Sequence, residues 1–419
     1  MLKVLKQRDF ALAWTGGLVS MLGSWALFIA LPLHVYQVSG SALATSGVVA
    51  ALVAPGILLG SIAGVFVDRW NRKTTLVVGN LLLAGATLPL LALRDESWLW
   101  LVYPSVFLLQ VVEQFTGPAE NAFLPRLVHA NDLVAANSLN ALNNSLARLG
   151  GPALGGALYA TFGLTGVVLA NSVSFLVAAA LLAAIGASGA VAASRELAAA
   201  ATRRWRQVWH ELRDGLALVR RSRPVSVVFG VTSITAFGEG VFAVMFAVWV
   251  LELLEGGVPE LGLLQTSQAI GGLIGGTVGA FFGRRLVPER LFGVALLAFG
   301  IFDLALFNFP LLLDGVWIGV ALMILVGIPG VSSQAARTTI LQTHVEDAYR
   351  GRVFGSLSTS ASLLMFVGTL AAGATGDLLG PIALLNFQGG AYVVAGIFVL
   401  LALAPSRAPF QDPAAAPTT

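Results

Sequence analysis

The sequence predicts an all-α membrane protein that crosses the bilayer about twelve times. Of its 419 residues, 57% are hydrophobic and only 11% are charged, whereas soluble domains carry about 25% charged residues. The apolar residues fall into runs of roughly 20, which is the length of a membrane-spanning helix. Lysine and arginine collect in alternate intervals between these runs, as they do in the loops on one side of a membrane.

The predicted spans follow these apolar runs along the chain. They are residues 10–36, 44–67, 74–93, 98–117, 138–160, 165–187, 224–251, 259–283, 290–309, 313–336, 353–374 and 382–404. The first run is too long for the apolar part of a signal peptide and lacks a small-residue cleavage site, so we expect it to be a span. An even number of spans places both termini on the same side.

Charged residues in the predicted loops indicate the orientation. Basic residues precede the first span, follow the second and fill the segment between the sixth and seventh, as Lys3, Arg69 and Arg204 illustrate. On the opposite side Arg94 stands among acidic residues, which are Asp95, Glu96, Glu252, Glu255, Glu260 and Asp314. Because cytoplasmic loops carry the excess of Lys and Arg, we expect a multi-pass protein of the plasma membrane, the inner membrane in bacteria, with both termini cytoplasmic.

An internal repeat relates the two halves of the sequence. At one fixed offset, Gly56, Gly60, Gly64, His129 and Asp132 correspond to Gly271, Gly275, Gly279, His344 and Asp347. A parallel repeat of this kind predicts two pseudo-symmetric six-helix bundles, at 1–190 and 224–404. Between them we expect a cytoplasmic linker with an amphipathic helix at 191–223, and after them a disordered tail at 405–419. The glycines, four residues apart, predict close helix packing.

A short charged loop separates the second and third predicted spans. It has the pattern Gly-x-x-x-Asp-Arg-x-x-Arg-Lys, formed by Gly64, Asp68, Arg69, Arg72 and Lys73. In this position the pattern resembles the signature loop of the major facilitator superfamily of secondary transporters. The resemblance implies the major facilitator fold and a gating role for the loop, with Glu120 as a partner for Arg72. The alternative is that the charges of this loop only fix the orientation of the chain in the membrane. That alternative accounts for Lys73 but not for Asp68.

A second motif, Gly-Pro-x-x-Gly-Gly, lies in the fifth span and consists of Gly151, Pro152, Gly155 and Gly156. It resembles the antiporter motif of proton-driven drug exporters, in which a proline kink is associated with export. A kink without that role is the alternative, because Ala147 replaces an expected glycine. Segments 117–126 and 341–353 resemble the branch that holds the enterobactin exporter and the macrolide-efflux proteins.

Ionisable residues inside the predicted spans are the candidate site residues, because a charge in the membrane is costly unless it faces a cavity or a partner. They are Glu113, Arg148, Glu239 and Asp303. Glu113 is the first candidate for a proton carrier, with a structural ion pair to Arg148 as the alternative. Glu239 is predicted either to accept a cation in a cavity or to make a polar contact between helices. Arg148 either holds a substrate anion, tunes Glu113 or forms a structural ion pair, and Asp303 ranks last.

The position of Glu113 departs from the family pattern. Many drug antiporters have an arginine at the corresponding place in the fourth span, so their proton relay does not carry over to this chain residue by residue. An acidic residue at this position is still usable for proton coupling.

The resemblance implies a secondary active transporter that exports amphipathic small molecules, such as drugs or siderophore-like compounds, by proton antiport with alternating access. A lipid or lysolipid translocator and a non-transporting receptor or scaffold remain alternatives. With Cys 0 and His 4, we expect no metal site or cofactor, and no nucleophile constellation or phosphate loop indicates an enzyme. The expected partners are the substrate, protons and membrane lipid, without nucleic acid, and the expected state is a monomer.

Overall fold

The computed structural model describes residues 3–67, 69–189, 222–282 and 287–403. Within these ranges no strand occurs. The long helices are α1 (Arg8–Ser39), α2 (Ala42–Val67), α3 (Arg72–Thr87), α4 (Val102–Phe123), α5 (Leu133–Ala183), α6 (Arg223–Glu252), α7 (Val258–Phe282), α8 (Pro288–Asn308), α9 (Val316–His344) and α10 (Asp347–Ala402). We call residues 3–189 the N-terminal half and residues 222–403 the C-terminal half. Asp68, the tail 405–419 and all but the last two residues of the linker 191–223 lie outside the described residues.

The predicted membrane character is confirmed, because nine stretches of the described chain are long and apolar enough to cross a bilayer. Several predicted boundaries differ from the ends of the helices, and two of these differences bear on the site. The fourth and tenth spans were expected to end at 117 and 336, but α4 continues to Phe123 and α9 continues to His344. Phe123 and Ile340 are both buried, so packing against neighbouring helices sustains the helix after the apolar run has ended.

Two helices, α5 and α10, are each broken at a glycine. Gly163 has φ 62° and ψ −162°, and Gly380 has φ 75° and ψ 164°. Both conformations lie in a region that glycine adopts without the strain a Cβ would cause. The breaks fall between the predicted spans 138–160 and 165–187, and between 353–374 and 382–404. Each of the two helices is therefore divided into two legs close to the point where the sequence predicts a turn.

The two halves meet through close contact between α5 and α7. A Cβ added at Gly262 in α7 would overlap the carbonyl oxygen of Pro152, and a Cβ at Gly156 in α5 would lie 2.9 Å from the Cα of Pro259. Small residues at such positions let helix backbones approach closely. Gly156 of the fifth-span motif is thus part of the contact between the halves.

Polar contacts at one end of the molecule also join the halves. We call this side the acidic end, because Glu252 and Asp377 lie there. The Tyr36 hydroxyl at the end of α1 donates a hydrogen bond to Glu252 at the end of α6. The Asp377 carboxylate of α10 accepts a hydrogen bond of 2.9 Å from the backbone N–H of Ala42, the first residue of α2. A carboxylate is favourable there, because the first N–H groups of a helix have no partner within it.

The two glycine ladders of the internal repeat make different contacts. In the second copy, a Cβ at Gly275 would overlap the carbonyl oxygen of Ile328, so α7 packs directly on the backbone of α9. In the first copy, a Cβ at Gly60 would lie 3.4 Å from the side-chain oxygen of Gln114 in α4. The predicted close packing is confirmed at Gly275, whereas Gly60 faces a side chain at ordinary contact distance.

We predict that Gly262→Ala destabilises the protein, because its methyl group forces α5 and α7 apart. Overpacking of this kind costs about 1–3 kcal/mol. Thermal unfolding of the detergent-solubilised protein measures the effect, and Gly230→Ala is the matched control, since a Cβ there meets no described heavy atom within 4 Å. Equal unfolding midpoints for the two variants would contradict the close α5–α7 contact.

Candidate functional site

A cavity lies between the two halves, and we call it the central cavity. It has a volume of about 220 Å³ and is lined by α1, α2, α5, α6, α7 and α10. Aromatic side chains line it from both halves: Trp25 and Phe28 come from α1, and Phe242 and Phe246 come from α6. Two of the predicted candidates line it from opposite halves, Arg148 from α5 and Glu239 from α6. The fold therefore brings together two charged residues that are 91 positions apart (239 − 148 = 91).

A polar cavity of about 280 Å³ adjoins the central cavity, and Arg148 and Glu239 line both. Its other polar lining residues are Thr232, Thr235, Gln268, Ser333, Gln334, Arg337 and Tyr392. Arg148 is exposed to this space and Glu239 is partly exposed. Within the described chain no ion pair of 4 Å or less joins Glu239 to Arg148 or to Arg337. The opposite charges therefore face a shared cavity and leave room for a solute.

Arg337 was not predicted as a site residue. The predicted tenth span ends at 336 and leaves this arginine outside it, but α9 continues to His344 and Arg337 lines the polar cavity. A signal for the longer helix is present in the sequence. Ala336, Ile340 and Leu341 are apolar residues at helical spacing, and all three are buried.

Hydrogen bonds from α10 hold the acidic residues of the C-terminal half. The Tyr392 hydroxyl donates to the Glu239 carboxylate. The Gln388 amide nitrogen donates to Asp303 in α8 over 3.0 Å. Asp303, the candidate that ranks last, is only 2% exposed. It therefore lies behind the cavity lining and is not part of it. Tyr392 and Gln388 were missed, because uncharged residues in an apolar run give no signal of their own.

The N-terminal half contains a separate cavity of about 560 Å³, which we call the N-half cavity. Glu113 and Glu120 both line it. The Gln110 amide donates to the Glu113 carboxylate over 3.2 Å. The structural alternative for Glu113, an ion pair with Arg148, does not occur among the described residues. Nor does this part of the chain hold a group of three or more His, Asp or Glu side chains placed to bind a metal ion.

The cations of the signature loop are held within the N-terminal half. An Arg72 guanidinium nitrogen donates to the carbonyl oxygen of Ala122 over 2.8 Å. The Lys73 ammonium donates to the carbonyl oxygen of Ile185 over 2.6 Å. Both carbonyls lie at the C-terminal ends of helices, α4 and α5, where a cation is favourable. These bonds hold the start of α3 against the ends of α4 and α5.

The predicted pairing of Arg72 with Glu120 is absent. No ion pair of 4 Å or less joins the two described side chains, and Glu120 lines the N-half cavity instead. The reason is that Arg72 is already bonded to the end of α4. Gly64 lies within α2 and Arg69 is partly buried, while Asp68 is outside the described residues. The gating role of this loop stays a prediction.

The fifth-span motif places α5 between α1 and α7. A Cβ at Gly151 would overlap the Trp25 side chain, and a Cβ at Gly155 would lie 2.8 Å from the Cα of Ala26. Pro152 and Gly156, the other residues of the motif, contact α7. The motif therefore sets the position of Trp25, which lines the central cavity, as well as the position of α5.

Comparison with known proteins gives relatives that are named as exporters. The chain is 24% identical to macrolide efflux protein A of Streptococcus pyogenes over 88% of its own length and 90% of the relative's. It is 24% identical to the enterobactin exporter EntS of Citrobacter koseri, over 94% and 92% of the two chains. Among solved structures it resembles a bacterial homologue of the iron transporter ferroportin in an inward-facing state, with a TM-score of 0.73 and 18% identity over 94% and 98% of the two chains.

The similarity to the ferroportin homologue concerns the fold alone, because the identity is low. Family membership rests on the sequence. Residues 2–409 match the family model described as transmembrane secretion effector, and the segments that resemble macrolide-efflux proteins and the enterobactin exporter agree with that match. The chain belongs to the transmembrane secretion effector family of major facilitator transporters.

Proposed function

We propose that this protein exports amphipathic small molecules by proton antiport with alternating access, and that the central cavity holds the substrate. The observation that carries the proposal is the placement of Arg148 and Glu239, which come from opposite halves and face one cavity with an aromatic lining. A largely apolar cavity with a few polar groups binds by buried area, so it accepts many amphipathic compounds. Relatives named for macrolide efflux and enterobactin export favour the outward direction.

The proposed architecture has twelve spans in two six-helix bundles, with both termini cytoplasmic and a single chain as the working unit. The glycine breaks at Gly163 and Gly380 support this count, because each divides one long helical stretch into two legs. Each half then contains six legs. The contacts between the halves at the acidic end, through Tyr36 and Asp377, would be the ones that open when the cavity turns to the other side of the membrane.

Glu239 is the proposed coupling group. A carboxylate that is partly exposed in a cavity can bind either a proton or a cationic group of a substrate, but not both at once. This competition is the basis on which protons would be exchanged for substrate. Tyr392 fixes the carboxylate by a hydrogen bond, while Arg148 and Arg337 line the same polar cavity. Glu113, the first candidate from sequence, ranks second here, because the N-half cavity that it lines has no described Lys or Arg in its lining.

Arg148 and Arg337 provide the force that releases the substrate cation once Glu239 is protonated. When Glu239 is ionised, its charge offsets part of the positive charge of Arg148 and Arg337, and a cation can enter. When Glu239 is protonated, the two fixed positive charges repel the cation. Two unit charges at 4 Å interact by about 4 kcal/mol at an effective dielectric constant near 20. Repulsion of this kind weakens with distance, and about 1.4 kcal/mol of it weakens binding tenfold.

We predict that Glu239→Gln stops proton-driven transport. The assay is uptake of a fluorescent amphipathic cation into inverted membrane vesicles with an imposed proton gradient. The variant keeps the shape of the side chain but loses its charge and its exchangeable proton, so we expect gradient-dependent uptake to fall at least tenfold. Glu96→Gln, at an exposed acidic residue outside the cavities, is the matched control. Uptake at the wild-type level in Glu239→Gln would overturn the assignment.

Arg148→Gln should bind cationic substrates more tightly, because a fixed positive charge is removed from the cavity. We expect the KM for a monovalent amphipathic cation to fall about tenfold, which corresponds to about 1.4 kcal/mol, and the KM for a neutral amphipathic substrate to stay the same. Arg94→Gln, an exposed arginine at the acidic end, provides the control. A KM that changes equally for cationic and neutral substrates would show that Arg148 acts through packing and not through charge.

The proposed orientation can be tested by labelling single cysteines, since the natural chain has none. Glu96→Cys and Asn131→Cys introduce thiols at exposed positions in two different connections. In intact cells, a membrane-impermeant maleimide should label Glu96→Cys only, and Asn131→Cys should react after the cells are permeabilised. The reverse pattern would place the termini outside the cytoplasm.

A further inference from the structure

We propose that the N-half cavity is a second binding site, specific for organic ammonium ions that carry hydroxyl groups. Its existence does not depend on the direction or the coupling of transport, because it lies within one half of the chain. Its volume of about 560 Å³ falls in the range of small-molecule sites, about 300–1,000 Å³. The cavity is lined by α1, α3, α4 and the two legs of α5.

The lining of the N-half cavity is acidic and rich in amides. Glu113 and Glu120 supply two carboxylates. The amides are Asn80, Asn121, Asn137, Asn140, Asn143 and Asn144. Among the described lining residues there is no lysine or arginine, so no fixed cation in this lining neutralises the two carboxylates. Carboxylates bind an ammonium group, and asparagine side chains both donate to and accept from hydroxyl groups.

Asn143 provides an independent sign of a missing partner. Its side chain is only 3% exposed. The amide nitrogen donates to the carbonyl oxygen of Trp14 over 2.9 Å, which fixes the direction of the group. The amide oxygen is buried and has no hydrogen-bond partner in the described part of the chain. An unpaired buried acceptor is destabilising, and a donor on a bound ligand would satisfy it.

The Glu120 carboxylate and the Asn143 amide nitrogen approach one point at α1. A Cβ added at Gly17 would lie 3.6 Å from the Asn143 amide nitrogen and 3.7 Å from a Glu120 carboxylate oxygen. Because residue 17 has no side chain, this space is open to a ligand. A ligand there lies beside both the Glu120 carboxylate and the Asn143 amide group. An ammonium group that pairs with Glu120 and a neighbouring hydroxyl that bonds to the Asn143 amide can therefore belong to one molecule.

Aromatic residues complete the site. Trp14, Trp25 and Phe10 line the N-half cavity, and an aromatic ring face attracts a cation when the cation approaches within about 6 Å of the ring centre. Trp25 also lines the central cavity. The two cavities differ in charge, because Arg148 lines the central one and no described arginine lines the other. A hydroxylated ammonium ion therefore fits the N-half cavity better than the central cavity.

Isothermal titration calorimetry of the full chain in detergent tests this proposal, with N-methylglucamine as the probe. Sorbitol is the matched uncharged compound, since it has the hydroxyl groups without the amine. We expect the wild type to bind N-methylglucamine and not sorbitol, and Glu120→Gln to weaken binding at least tenfold. Glu96→Gln, which makes the same change at an exposed position outside the cavity, should bind like the wild type.

Gly17→Ala is the second variant, and it distinguishes a loss of binding from a loss of folding. Its methyl group makes only ordinary contacts with Glu120 and Asn143, so we expect an unchanged unfolding midpoint together with weaker binding of N-methylglucamine. The proposal is wrong if the wild type does not bind the probe at millimolar concentration, or if sorbitol binds equally well. It is also wrong if neither variant weakens binding, or if Glu239→Gln alone does so, which would assign the probe to the central cavity.

Discussion

The close contact between α5 and α7 is the constraint on which the arrangement of the site depends. Gly156 and Gly262 allow the two backbones to approach across the boundary between the halves. The Thr266 hydroxyl adds a hydrogen bond of 3.2 Å to the carbonyl oxygen of Leu149. Arg148 is the residue next to Leu149, so this contact carries an arginine of the N-terminal half to the polar cavity of the C-terminal half. A larger separation of α5 and α7 would withdraw Arg148 from Glu239.

The charges of the spans are distributed over two different kinds of cavity. In the C-terminal half, Glu239 shares its cavity with two arginines and receives a hydrogen bond from Tyr392. In the N-terminal half, Glu113 and Glu120 share a cavity whose other described polar lining residues are uncharged. A buried charge is costly without a partner. The first cavity supplies fixed partners, while the second leaves room for a mobile cation, either a proton or an ammonium ion.

The sequence was sufficient for the coarse features and insufficient for the contacts. Long apolar runs locate the spans, and a charge in such a run marks Arg148 and Glu239 as site candidates, because both signals are local. The pairs considered from the sequence do not occur among the described residues. Glu113 does not pair with Arg148, which was the alternative to its role as a proton carrier, and Arg72 bonds to the end of α4 and not to Glu120. Pairing depends on which helices pack together, and the internal repeat does not specify this, as the different contacts of Gly60 and Gly275 show. Arg337 was missed because buried side chains extend α9 beyond the apolar run that marks the tenth span in the sequence.

The central claim is that Arg148 and Glu239 face one cavity between the halves. Cross-linking tests it most directly, since the natural chain has no cysteine. Arg148→Cys and Glu239→Cys are combined, treated with a short bifunctional thiosulfonate and cut at a protease site introduced in the linker 191–223. We expect the halves of the double variant to stay covalently joined after cleavage, while each single cysteine variant separates into two fragments. Complete separation of the double variant would contradict the shared cavity.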